Sequence, residues 1–153
     1  MQSRRDEIAA ELKPGGIVLM PVPGIDHEKF LVILTVDPIR AFFINKRIHE
    51  KYQSDPNLVA AQVGISKADH RFLDKDSWID CTTVVTAATR TRVLTEVTAD
   101  PNRLKGRLIP SERAALLAAV DRANNKKPSK FEKDRIFEAF GATRAPLAGP
   151  ARS

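Results

Sequence analysis

Cysteine is almost absent from this sequence: Cys81 is the only one in 153 residues. A disulfide within the chain is therefore excluded, and a reducing, intracellular setting is expected. A buried thiol serving as a small hydrophobe is the simplest role for it. Long apolar runs are also lacking. No stretch approaches the ~20 residues that a membrane-spanning helix needs, and MQSRRDEIAAEL lacks the apolar centre of a secretory signal, so a cytoplasmic protein with no membrane partner is expected. Tryptophan and tyrosine occur once each and histidine three times. Few side chains can therefore supply proton transfer near neutral pH.

Charge of one sign is in short supply as well. Nineteen carboxylates face 25 lysines and arginines, a net charge of +6. Such an excess favours an anionic partner. From residue 122 onward eight cations face three carboxylates, so most of the excess lies at the C-terminal end and the rest of the chain is nearly neutral.

What is present is a soluble-domain composition, 42% hydrophobic and 29% charged, at a length suited to one core. A short helix is expected over residues 1–13, with Ile8, Ala9 and Leu12 on one face before Pro14 and Gly15. Residues 17–22 and 30–36 are β-branched, apolar and joined by a turn holding Asp26, His27, Glu28 and Lys29; they read as a hairpin. Residues 40–45 follow the Asp37-Pro38 turn as a third strand. Residues 49–57 read as an exposed loop, and 58–65, 78–86 and 91–98 as further strands. Six short strands without a long helix between them predict a mainly β, small antiparallel barrel over residues 14–124.

After Leu108 the period becomes helical. Ala115, Leu116, Ala119, Val120 and Ala123 share a face behind Pro110, giving a helix that packs on the barrel. A second, basic helix over 125–141 starts with a Ser129–Glu132 capping box and stops at Gly141, and residues 142–153 read as a disordered tail. The expected core is Ile17, Leu19, Leu31, Ile33, Ile44, Ile79, Val84 and Val93. Phe42 and Phe43 point to opposite faces, one to the core and the other to the surface or a dimer contact.

The segments GGIVLMPVPGIDHEKFLVIL and LKGRLIPSERAALLAAVDRA, in that order across residues 15–123, resemble the MazF/PemK toxin family. The first is similar to its opening hairpin of G-D-I-V, a polar loop, R-P and an apolar strand. The second is similar to its ending of K-G turn, short strand, Pro-Glu helix entry and closing helix. The resemblance implies an SH3-like barrel of the Kid/CcdB type, a homodimer, metal-independent cleavage of single-stranded RNA without a cofactor, and restraint by an antitoxin. This chain departs from the pattern at informative places. Gly16 replaces the acidic residue, and Lys29-Phe30 replaces R-P, keeping the charge but losing the bidentate fork. Asn45, followed by Lys46 and Arg47, stands where the family has Thr or Ser.

Cleavage by 2′-hydroxyl attack needs a proton acceptor, a proton donor and cations around the phosphorane. His27, Lys29, Asn45 and His70 are the candidate catalytic residues, with Lys46 and Arg47 as RNA-binding cations. His27 in a charged turn equally reads as a solvated loop residue. A Ser77–His70–Asp triad lacks a G-x-S-x-G elbow, and Asp69 or Asp76 is better read as capping a turn with Trp78 anchored in the core. Asp26, His27, Asp69, His70 and Asp76 have no metal-ligand spacing, so no metal is expected. The alternative to an endoribonuclease is a non-catalytic SH3-like barrel that binds a protein or nucleic acid.

Overall fold

The computed structural model describes residues 2–123 and 128–144. Helix α1 (Gln2–Glu11) buries Ile8, with Leu12 just beyond its end, and Gly15 then turns the chain with φ +89°. This is a left-handed conformation that favours glycine. Strands β1 (Gly16–Met20), β2 (Lys29–Val36) and β3 (Ile39–Asn45) form the expected antiparallel meander. Ile17 faces Val32, and Leu31 faces Phe43. Strands β4 (Gln62–Ile65), β5 (Ser77–Asp80) and β6 (Leu104–Arg107) complete one antiparallel sheet in the order β4-β5-β3-β2-β1-β6. The sheet curls into a half-barrel, and helix outweighs strand at 39% to 24%, so the chain is mixed α/β and not mainly β.

Alternation along the strands sends side chains to two cores. Val32, Leu34, Phe42, Ile44 and Ile79 pack with Leu116, Ala119 and Val120 of α5 (Pro110–Arg122) and Ile136 and Phe137 of α6 (Lys130–Ala139). On the other face Val18, Met20, Leu31 and Ile33 pack with α1 and with Val93, Leu94 and Val97 of α4 (Arg90–Ala99). Phe42 enters the first core, and half-buried Phe43 packs against the second. Their adjacency thus needs no dimer contact to explain it.

The second core accounts for the main correction. Residues 91–98 form a helix, not a strand. The Thr89 hydroxyl accepts the Arg92 N–H at 3.2 Å, and Val93, Leu94 and Val97 carry the i, i+1, i+4 spacing of a helical stripe. β-Branched composition yields to the need to cover the open face. The sixth strand is β6 instead. Residues 58–65 also divide: Asp55 caps a short helix α3 (Pro56–Ala60), and only Gln62–Ile65 is strand. The 49–57 loop contains the single turn α2 (Glu50–Gln53). Of residues 78–86, the strand ends at Asp80, and Val85 makes one bridge to Ala41.

The capping box of α6 forms as expected, with Ser129 and Glu132 each accepting the other's backbone N–H. Gly141 follows it at φ +68°. The expected tail is anchored at its start: Ala142 packs on the first core, and Arg144 meets Asp121 at 3.1 Å and Asp134 at 2.9 Å. The remainder of that tail, and residues 125–127 of the expected basic helix, lie outside the described residues.

Six of the eight expected core residues are buried, and Leu19 and Val84 are half-buried. Ile33 is 1% exposed in the second core. Ile33→Ala is expected to cost about 2–5 kcal/mol, read as a lowered urea midpoint at unchanged slope. Cys81 is fully buried, and burial pushes its thiol well above the usual range, as suits a structural residue.

Candidate functional site

Lys29 opens β2 and Asn45 closes β3, so the antiparallel register sets them side by side at one end of the sheet. The Lys29 ammonium donates to Asn45 Oδ1 at 2.6 Å and lies 5.3 Å from the centre of the Phe43 ring. Arg103 steadies the loop end that delivers Lys29. Its guanidinium pairs with Glu28 at 2.7 Å and donates to the Leu19 carbonyl at 3.0 Å. Partial burial lowers the Lys29 pKa, opposed by the negative charge of Asp80.

The same face continues across β5 and β4. Asn45 is opposite Trp78, which is opposite Gly64, and Asp80 is opposite Gln62. Trp78 is 36% exposed, not anchored in the core as its composition suggested. Its benzo ring lies over Gly64, where a Cβ would stand 3.4 Å from the nearest ring carbon, in van der Waals contact. Asp80 is buried. Its Oδ1 accepts from Gln62 Nε2 at 3.0 Å, from the Thr82 N–H at 3.0 Å and from the Thr82 hydroxyl, and Tyr52 Oη lies 3.5 Å from Oδ2. These contacts give a buried polar group the hydrogen-bond partners without which its burial would be costly. The strip of half-buried Lys29 and Asn45 and exposed Trp78 thus sits beside a carboxylate whose hydrogen bonds go to Gln62, Thr82 and Tyr52.

The other candidates fall elsewhere. Alternation sends Lys46 away from Asn45. It pairs with Asp74 at 2.9 Å and, with His27, lines a cleft of about 410 Å³ whose floor is Phe30, Ile44 and Leu73. Lys29 also borders that cleft. His27 is exposed, its Nδ1 2.9 Å from Asp26 Oδ1, and this contact holds the Asp26 carboxyl below its usual range. Arg47 is exposed. His70 is not brought to the cleft: it is buried, with Nε2 2.7 and 3.0 Å from the two oxygens of Glu112.

Asp76 accepts the Lys67 N–H at 2.9 Å, the turn role expected of it. The Ser77 hydroxyl is committed to the Lys75 carbonyl, so no hydrolase triad assembles. Among the described residues no group of three or more His, Cys, Asp or Glu side chains is arranged to hold a metal ion. No helix among them is long and apolar enough to cross a membrane.

Sequence reasoning missed Asp80, Tyr52, Thr82 and Glu112. Asp80 was legible in part, since period 2 along SWID puts it on the face of Trp78. Tyr52 and Glu112 act on residues 28 and 42 positions away, a separation that no local pattern reports.

The lowered Lys29 pKa has a definite sign. An unfolded lysine keeps its proton to higher pH than folded Lys29 does, so between the two pKa values this group makes stability rise with pH. Across that range the urea midpoint is expected to rise with pH more in the parent than in Lys29→Met, which lacks the titrating group, and unfolding curves at alkaline pH check this.

No protein-family model matches the chain, and no curated protein matches it.

Proposed function

We propose that this protein is a MazF/PemK-like endoribonuclease that cleaves single-stranded RNA without a metal, and that the curled sheet with its closing helix is that family's SH3-like barrel. The observation that carries the reading is the Lys29–Asn45 contact of 2.6 Å, made between the two positions that the resemblance assigns to the family's site. A cation fixed in this way can stabilise charge on a phosphorane as it develops, because its partner and partial burial orient it before the substrate arrives. Asn45 is the positioning residue, holding the ammonium by its carbonyl oxygen. In the reaction, the 2′-hydroxyl loses its proton and attacks the adjacent phosphorus, and the P–O5′ bond breaks as the 5′-oxygen takes up a proton. The products are a 2′,3′-cyclic phosphate and a 5′-hydroxyl. Exposed His27, two residues before Lys29, is the group assigned to proton transfer. Lys46 and Arg47 provide cations near the end of β3 for the rest of the strand. Homodimerisation, control by an antitoxin and a cytoplasmic location belong to the same reading.

Incubating the purified protein with mixed-sequence single-stranded RNA in EDTA tests it. Cleavage to cyclic-phosphate ends is expected. Intact RNA would overturn the enzymatic reading, and RNA bound but uncut would favour a non-catalytic barrel. One observation favours that second reading: Lys46 pairs with an acidic residue on the opposite face from Asn45, so the cations do not converge on one phosphate.

A further inference from the structure

Trp78 is the only tryptophan, and its exposure sets it apart from the buried side chains of both cores. An indole about one-third exposed on a strand keeps aromatic area that a ligand could cover. Here the ring is not loose. It leans over Gly64, the one residue of β4 with no side chain to displace it, while β5 places it opposite Asn45. The residue therefore packs over Gly64 and keeps about a third of its surface exposed. Lys29 stands two strand spacings away, roughly 10 Å, on the same face. Its ammonium pairs with no carboxylate at contact distance among the described residues, and it donates only to the neutral amide of Asn45. Asp80 is the carboxylate nearest this strip on β5, and its oxygens are taken up by Gln62, Thr82 and Tyr52. An aromatic plane and a fixed cation on one strip of sheet complement a base and its phosphate, and a π face accepts any base.

We propose that Trp78 is a stacking platform for a base of single-stranded RNA whose neighbouring phosphate meets Lys29. The inference rests on the RNA reading above and makes it specific: the site takes unpaired nucleotides, because a base within a duplex presents no free face to the indole.

The sole tryptophan reports directly on this contact. The probe is a mixed-sequence 2′-O-methyl oligoribonucleotide, which 2′-hydroxyl attack cannot cleave. Unlabelled probe is expected to quench the intrinsic fluorescence saturably, and a matched duplex to quench it far less. In anisotropy titrations with labelled probe, Trp78→Leu should weaken binding about 5- to 150-fold, whereas Trp78→Phe, which keeps a ring, should stay within a few-fold of the parent. An oligonucleotide of abasic sites should bind parent and Trp78→Leu alike. Binding without quenching, at an affinity unchanged in Trp78→Leu, would overturn the stacking role and leave the RNA reading intact. No binding of the probe by the parent protein would overturn the RNA reading and this inference with it. Trp78→Phe guards against misfolding of the leucine variant: if its affinity falls as far as that of Trp78→Leu, the ring is not what binds.

Discussion

Glu112→Ala is expected to destabilise the fold by about 2–6 kcal/mol, because it leaves two groups, the His70 imidazole and the Ile109 N–H, without a partner at about 1–3 kcal/mol each. Glu112 does two jobs at once. Both of its oxygens contact His70 Nε2, and Oε1 also accepts the Ile109 N–H at 2.9 Å, one of the donors left over at the start of α5. Truncation would leave a buried imidazole and a helix terminus without their acceptor. It would also detach the 66–76 segment, whose Phe72 packs on Phe30 at 4.9 Å and whose Asp74 pairs with Lys46. Urea unfolding of Glu112→Ala, His70→Ala and the double variant measures this. The two single losses should overlap strongly, so that the double variant falls well short of their sum. A Glu112→Ala midpoint within error of the parent would show that the pair does not support the loop.

The second large effect concerns chemistry. On the proposed endoribonuclease reading, Lys29→Ala is expected to lower kcat/KM for RNA by about 10²–10³-fold, the cost of removing one preorganised donor to developing charge. Stability should change little, because the side chain is half-buried and its burial is opposed by the charge it carries. If the ammonium acts mainly on the transition state, kcat should fall more than binding weakens; if it only holds the strand, Kd should rise and the salt slope flatten with kcat preserved. Asn45→Ala should follow in the same direction with a smaller effect, since it releases the ammonium without removing it. A Lys29→Ala protein that cleaves like the parent would move the site elsewhere.

The division of labour between local and global information is visible in particular segments. The β1–β2 hairpin, β3, α5 and the Ser129–Glu132 cap were all legible, because each depends on residues a few positions apart: alternating or continuous apolar runs, a proline at a helix start, a reciprocal cap. The Lys29–Asn45 neighbourhood followed from the resemblance, which implies a third strand beside the hairpin. The separation of Asn45 from Lys46 was also available from strand period, which sends adjacent residues to opposite faces.

Other features depended on the assembled chain. The β-branched stretch 91–98 suits a strand by composition, and it becomes α4 because a curled sheet with a second apolar face must be covered, which a helix presenting Val93, Leu94 and Val97 does. Trp78 is exposed because β5 lies beside Gly64 at the end of the sheet that neither α1 nor α4 covers, a fact of strand order and not of the tryptophan itself. His70 leaves the cleft for the same kind of reason: its partner Glu112 is brought to it by the docking of α5, 42 positions along the chain. The sequence by itself determined which segments were apolar, the proline entry of α5 and the Ser129 cap of α6, and which residue types could do chemistry. Only the tertiary structure decided which of those residues share a face, because contact between distant segments is set by how two cores close on one sheet.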